Sequence, residues 1–322
     1  MASESYLSKI NKFLGRHTQL IIFFLVLVVL IEVLLIVIQF DQGLEKEISD
    51  SSLVQAAYNE KPGDYPVLLQ NYEPYVSAQS AVILDNGSKK ILFAKNQDLR
   101  FSMASTVKIM SALTALEQFA YNDILTVKRD FNEGSLLGFE VGEQIYFDDL
   151  LYGLLLPSGN DAAYVLADNY PGGVEAFVKR MNEKAKEYNL NDTHFYDPAG
   201  LNDDQNYTTV VDLARISSAA LENPTLARVV STQRKVFTDV SGQRMYDVYN
   251  LNKLLGTQGV IGLKTGTTQG AGEVLTTAVR TGDKEYIIVV MKSEDRFTDT
   301  QSLLNLIYDN VKYLTPDEIV AN

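Results

Sequence analysis

Three short strings hold the residues whose types and spacing suit covalent chemistry: Ser105-Thr106-Val107-Lys108, Ser158-Gly159-Asn160 and Lys264-Thr265-Gly266. A serine hydroxyl becomes a useful nucleophile only when a base takes its proton. Lys108 follows Ser105 by three residues, so on a helix the two side chains share one face, one turn apart. A lysine can be that base only if its ammonium form is disfavoured, by burial or by a second cation nearby. Lys264 is the candidate second cation. Ser158 brings a second hydroxyl that can pass a proton between Lys108 and a leaving amine. The Asn160 amide can hold a substrate peptide group by donor and acceptor together. Lys264 and Thr265 offer a cation and a hydroxyl to an anionic carboxylate, and Gly266 permits close approach of another backbone. The N–H groups of Ser105 and Thr267 are candidate oxyanion donors if the strand lies beside the helix start.

Taken singly, each string has an ordinary reading: a helix start with a solvated lysine, a Ser/Gly/Asn turn, a strand end. Taken in order, they supply a nucleophile, a base, a proton relay and a carboxylate anchor. This is what a serine acyltransferase needs when it lacks a catalytic histidine. Only His17 and His194 are present, and there is no cysteine. A Ser-His-Asp triad would have to use His194, a zinc hydrolase would want clustered histidines, and disulfides and thiolate metal sites are excluded. Net charge is −13, with no basic block beyond the first residues, which argues against nucleic acid as a partner. No cofactor and no metal are implied.

The elements that must position these residues follow from patterning. Chain length and a 46% hydrophobic content allow one large domain. Ala81 to Asp85 and Ile91 to Ala94 read as strands joined across Asn86-Gly87-Ser88. Val107 to Phe119 is a helix apolar on most of its circumference, hence buried. A second helix covers Val141 to Leu156 and breaks at Pro157, and a third runs from Val174 to Tyr188. Three strands follow, at Val260 to Leu263, Val274 to Arg280 and Tyr286 to Met291, and a helix from Thr298 to Tyr313 closes the domain. Strands at both ends with helices between predict an α/β domain whose sheet joins distant segments.

Upstream, Leu20 to Ile38 is apolar except for Glu32 and would span about 28 Å as a helix, close to a hydrocarbon core of about 30 Å. Lys9, Lys12 and Arg16 precede it and acidic residues follow, so residues 1–19 are expected in the cytoplasm and the domain outside. The rival is a cleaved signal peptide, but the run is long for one and no small-x-small site follows. Glu32 is costly at mid-membrane unless protonated or paired. Its apolar neighbours outweigh it, or a partner helix receives it. Residues 39–74 read as an extracytoplasmic stalk, residues 75–316 as the catalytic domain and residues 317–322 as a tail.

The chain resembles the serine-type D-alanyl-D-alanine carboxypeptidases, the low-molecular-mass penicillin-binding proteins. Ser-x-x-Lys and Lys-Thr-Gly are signatures of that wider group. The resemblance also rests on Ala104, on Asp149 to Ala163 (DLLYGLLLPSGNDAA), on Met181-Asn182, on Thr193 to Leu201 (THFYDPAGL) and on Gly262-Leu263. It implies the penicillin-recognising α/β fold, a mostly antiparallel five-stranded sheet with helices and a helical lobe. It further implies that Ser105 is acylated, that Lys108 is the base and Ser158 the relay, and that Lys264 and Thr265 grip the terminal carboxylate with Arg296 assisting. The implied substrates are peptidoglycan stem peptides ending in D-Ala-D-Ala, with β-lactams as acylating inhibitors. Met103 departs from a common proline. The C-terminal β-domain and amphipathic tail of many relatives have no counterpart before Asn322, and the N-terminal anchor is expected to serve in the tail's place.

Alternatives remain. A β-lactamase on the same scaffold would need a glutamate that activates water, and Glu187-Tyr188-Asn189-Leu190-Asn191 matches that string literally. It falls at a helix end inside a segment that resembles the carboxypeptidases, and Gly159 also departs from the class A pattern. The other alternative is an inactive wall-binding protein. By the resemblance, His194 is structural. Transpeptidation is a further outcome if an amine rather than water reaches the acyl-enzyme.

Overall fold

The computed structural model describes residues 65–70, 72–315 and 318, all within one compact unit, Asp64–Asn322. The segment read as a membrane anchor, the residues before it and the stalk up to residue 64 lie outside the described residues. Among the described residues no helix is long and apolar enough to cross a membrane.

The strands in chain order are β1 (Tyr65–Leu68), β2 (Ser80–Asp85), β3 (Ile91–Lys95), β4 (Phe101–Ser102), β5 (Ile124–Thr126), β6 (Gln144–Tyr146), β7 (Tyr207–Thr208), β8 (Arg234–Thr238), β9 (Met245–Tyr249), β10 (Val260–Thr268), β11 (Gly272–Thr281), β12 (Lys284–Ser293) and β13 (Val311–Leu314). The helices are α1 (Val107–Ala115), α2 (Phe147–Leu155), α3 (Asn160–Asn169), α4 (Gly173–Glu187), α5 (Val210–Glu222), α6 (Pro224–Val230) and α7 (Arg296–Ile307).

One antiparallel sheet of order β10-β11-β12-β2-β3 organises the domain. Its strands alternate with period two, as a sheet covered on both faces requires. On β12, Ile287, Val289 and Met291 enter one apolar core, shared with α5 and α1. Tyr286, Ile288 and Val290 enter a second core, shared with α7. β2 divides the same way, Val82 and Leu84 against Ala81 and Ile83. A one-residue slip would exchange these faces, so register is fixed by both cores. β10 is an edge strand of this sheet, paired only with β11.

All nine residues of α1 are buried, as its nearly continuous apolar surface demands. It ends at Ala115 rather than Phe119, because Glu117 leaves the helix to pair with Arg180 and Lys184 on α4. The helix expected from Val141 starts instead at Phe147. Gly142 takes a left-handed φ of 90°, and Gln144–Tyr146 alternates exposed, buried, exposed and pairs with β5. α2 ends before Pro157, as expected.

The closing helix stops at Ile307, and Val311–Leu314 returns as β13 to pair antiparallel with β1. β1 therefore lies inside the segment read as stalk. Buried Asn310 joins these ends. Its Oδ1 accepts from Gln70 N–H at 2.7 Å, and its Nδ2 donates to the Gln70 and Leu306 carbonyls at 2.8 and 2.9 Å. Removing one partner leaves the others unsatisfied. Asn310→Ala is expected to destabilise the domain by about 1–3 kcal/mol, read as a lower urea midpoint at unchanged slope by circular dichroism.

Candidate active site

Ser105 sits in a single 3-10 turn, Ala104–Thr106, that leads into α1. Ala104 takes a φ of +46°, a conformation that costs an L-residue on the order of 1 kcal/mol or more. Neighbouring contacts hold it there. Thr106 Oγ1 donates to the Met103 carbonyl at 2.6 Å, and two glycines crowd the turn. A Cβ on Gly200 would fall 2.0 Å from the Ala104 carbonyl oxygen, and one on Gly266 would lie 3.1 Å from Ala104 Cβ and 3.2 Å from Ser105 N. Met103, Ala104 and Thr106 are buried, while Ser105 is partly open.

Lys108 lies wholly buried one turn into the helix. Its Nζ is 2.9 Å from Ser105 Oγ, 2.7 Å from Asn160 Oδ1 and 2.7 Å from the Ala199 carbonyl. The last two can only accept. A neutral amine has two N–H bonds and one lone pair, so both N–H bonds go to those fixed acceptors. The lone pair is left facing Ser105 Oγ, the one partner with a proton to give. Burial lowers the Lys108 pKa from its ordinary 10.5 to about 7, with the Asp197 and Asp161 carboxylates pulling the other way.

The Ala199 carbonyl is presented by a loop wound around Asp197. Its carboxylate accepts N–H bonds from Ala199, Gly200 and Asn202 at 2.8, 2.6 and 3.0 Å, and from Asn206 Nδ2 at 2.6 Å. Ser111 on α1 donates to the Pro198 carbonyl at 2.6 Å and ties this loop to the helix. In the sequence Asp197 and Gly200 stand within the THFYDPAGL string. The Asp-Pro-x-Gly pattern is turn chemistry that signals such a loop, but not which group it presents.

Ser158 is buried with a φ of +69°, in the short link between α2 and α3. Asn160 opens α3. Its Oδ1 accepts from Lys108, and its Nδ2 donates to the Glu133 carbonyl at 2.9 Å, which leaves one lone pair and one N–H of the amide for a substrate peptide group. Both amide functions brace the protein. Asp161 beside it accepts from Leu137 and Gly138 N–H at 2.8 and 2.9 Å, which fixes the preceding loop over α3. Burial raises the Asp161 pKa against those bonds.

Lys264 and Thr265 lie within β10, which continues to Thr268 rather than ending at Leu263. Both are buried, and Lys264 Nζ donates to the Thr265 carbonyl at 2.8 Å. Burial, then Lys108, then Arg296 press the Lys264 ammonium well below its usual range. Arg296 opens α7 and donates through Nη1 to the Gly266 carbonyl at 2.8 Å and to Thr267 Oγ1. Burial lowers its pKa also. Lys264 and Arg296 converge from β10 and α7, and positive charge held there attracts an anion. The structure thus brings Ser105, Lys108, Asn160, Lys264, Gly266, Thr267 and Arg296 into one connected site.

Two other candidates lie elsewhere. His194 is held by a hydrogen bond between its Nδ1 and the Gln205 carbonyl and stacks on Tyr207. Glu187 pairs with Arg180 at the end of α4.

A family model described as Peptidase_S11, D-alanyl-D-alanine carboxypeptidase, matches residues 69–295, a span that includes every residue of the three strings. A D-alanyl-D-alanine carboxypeptidase of a Streptomyces species is 34% identical over 255 residues, covering 72% of this chain and 88% of the relative. The carboxypeptidase DacF of Bacillus subtilis is 33% identical over 221 residues, but the chain spans only 57% of it. The crystal structure of a Streptomyces DD-transpeptidase superposes with a TM-score of 0.71 at 32% identity, covering 74% of this chain and 100% of that one. The five-stranded antiparallel sheet with its helices is the fold of the penicillin-binding DD-peptidases. Likeness of sequence and of fold coincide over the same span, and the chain belongs to the D-alanyl-D-alanine carboxypeptidase family of serine peptidases.

Proposed function

We propose that this chain is an active, membrane-anchored D-Ala-D-Ala carboxypeptidase that trims peptidoglycan stem peptides through an acyl-enzyme on Ser105. The observation that carries the reading is the arrangement around Lys108, whose two fixed acceptors leave its lone pair for the Ser105 proton. In the first step Lys108 takes that proton and Ser105 Oγ attacks the carbonyl of the penultimate D-Ala. The N–H groups of Ser105 and Thr267 receive the oxyanion. The contact of Gly266 with Ser105 N supports this pairing of strand and turn.

Lys264, Thr265 and Arg296 hold the terminal carboxylate. The proton passes from Lys108 by way of Ser158 to the leaving D-Ala nitrogen, and the C–N bond breaks. Water then attacks the ester with Lys108 as base, and Ser105 is regenerated. A β-lactam enters the first step as a substrate mimic. Anchoring rests on the apolar run from Leu20 to Ile38 and its charge asymmetry, which would place the catalytic domain on the outer side of the membrane. The ion pair of Glu187 with Arg180 gives no support to a water-activating role and hence none to the β-lactamase reading.

Intact mass of the full chain mixed with benzylpenicillin tests the reading. The expected result is a lasting one-to-one adduct that Ser105→Ala abolishes. Rapid turnover without an adduct would favour a β-lactamase, and no reaction at all would refute an active acyltransferase.

The pH dependence carries a sign. Lys108 acts as its neutral form, so acylation is lost as pH falls through about 7, by about tenfold per unit below it. An unshifted lysine would place that limb near its ordinary value of about 10.4. Acylation rates with a chromogenic cephalosporin from pH 5 to 9 separate the two.

Both glycines against the Ser105 turn should matter unequally. Gly200→Ala pushes a Cβ into the Ala104 carbonyl, whereas Gly266→Ala asks for a few tenths of an ångström. Acylation is expected to fall on the order of 100-fold or more for Gly200→Ala and by much less for Gly266→Ala, in the same assay.

A further inference from the structure

The end of β10 that carries Thr267 is not held by the sheet alone. Among the described residues β10 has β11 as its only strand neighbour. Past Gly266 the chain leaves the core, and Thr267, Gln269 and Gly270 are exposed before Ala271 is buried again. In the carboxypeptidase reading above, the Thr267 N–H is one of two oxyanion donors. Such donors act only if they are fixed before the charge develops, and a hairpin end with one neighbour is a poor place to fix one.

Asp203 supplies a lateral hold. Its Oδ1 accepts from Ser102 Oγ at 2.7 Å and from Thr268 Oγ1, and its Oδ2 accepts from Gly270 N–H at 2.9 Å. Ser102 ends β4, three residues before Ser105, and Thr268 follows Thr267 directly. One carboxylate therefore joins the approach to the nucleophile with the strand end beside the second donor. The packing is close, since a Cβ on Gly270 would fall 2.7 Å from Asp203 Cγ. Thr268 Oγ1 in turn accepts from Ala271 N–H at 3.0 Å, and Lys292 on β12 donates to the Gly270 carbonyl. Burial opposes the Asp203 charge, but the Thr268 and Ser102 hydroxyls and the Gly270 N–H outweigh it and hold the carboxyl below its ordinary range. Hydrogen bonds to an ionised acceptor are the strong ones.

The loop that carries Asp203 keeps its shape by other means. Asn202 Oδ1 accepts from Gln205 N–H at 2.9 Å, and Asn206 Nδ2 donates to the Asn202 carbonyl at 3.0 Å and to Asp197 at 2.6 Å. The hydrogen bonds of the Asp203 carboxylate all cross to other segments.

We propose that Asp203 is a positioning residue for the oxyanion site: by clamping Ser102 to Thr268 it sets the gap between the Ser105 and Thr267 N–H groups. This deepens the carboxypeptidase reading and rests on it.

The test compares Asp203→Ala and Asp203→Asn with the unaltered full chain. Acylation by a chromogenic cephalosporin under saturating conditions separates the half-saturation concentration from the acylation rate constant. A peptidyl boronic acid, with boron in place of the attacked carbonyl carbon, bonds to Ser105 Oγ as the hydroxyl proton passes to Lys108, and so measures affinity for the tetrahedral state. Asp203→Ala is expected to lower the acylation rate constant about 10- to 100-fold and boronate affinity by a similar factor, with half-saturation changed less than about threefold. Asp203→Asn keeps one oxygen for the two hydroxyls and should lose less. Urea unfolding reports whether each variant is folded, and if Asp203→Ala is not, Asp203→Asn decides by the same split. An unchanged acylation rate constant, or a loss shared by half-saturation with boronate affinity kept, would overturn the clamp while leaving the carboxypeptidase reading standing. Absence of any acylation in the unaltered chain would overturn the two together.

Discussion

The domain depends on keeping one lysine amine dry. Water would hold the Lys108 ammonium form near its ordinary pKa, and in the reading proposed above Ser105 would then have no base. Excluding it requires apolar surroundings on every side together with hydrogen-bond partners for a group that is costly to bury unpaired. The uniformly buried α1 satisfies the first requirement. The second is met from three separate stretches of chain: Ser105 one turn away, Asn160 at the start of α3, and the Ala199 carbonyl from the loop wound around Asp197. Sheet, helical lobe and loop must all be in place before the amine has its partners, so catalytic geometry and tertiary fold form together.

The same convergence explains the glycines that matter. Ser105 must project from a turn strained at Ala104, and strain persists only where surroundings over-determine it. β10 approaches from one direction through Gly266, and the 197–202 loop closes through Gly200, each without room for a methyl group at its ordinary contact distance. Removal of side chains here lets backbone press on backbone. The two cores on either face of the sheet hold β10 in register, so packing far from Ser105 contributes to the position of the turn.

The sequence made the chemistry legible because its residues are short-range signals. Ser105 and Lys108 share a helical face by spacing alone, and the strands around Ala81, Val274 and Ile287 announce themselves by β-rich apolar runs. Less visible was whatever depends on a distant partner. Gln144 to Tyr146 looked like the start of a helix because three residues are too few to show a period, and only pairing with Ile124–Thr126 decides the matter. Asn310 carries no local signal for joining Gln70 to Leu306. The bracing role of Asn160 is also invisible along the chain, because an amide's partners are set by the fold: Lys108 donates to its Oδ1 and its Nδ2 donates to the Glu133 carbonyl.

The neighbouring cations also bear on which lysine holds a proton. Lys108 and Lys264 are both buried, and beyond burial Lys108 and then Arg296 disfavour the charge of Lys264. Such a pair titrates jointly, and a proton held by one is withheld from its neighbour. In the reading proposed above, the terminal carboxylate of the substrate binds at Lys264. A carboxylate there stabilises the ammonium form of Lys264 far more than that of Lys108, because opposite charges act most strongly at contact. In that reading a bound carboxylate favours charge on Lys264 over charge on Lys108, the sense in which Ser105 needs its base. A peptide lacking that carboxylate would lose an anchor and also part of the sorting that frees the base, which ties recognition of the chain terminus to the chemical step.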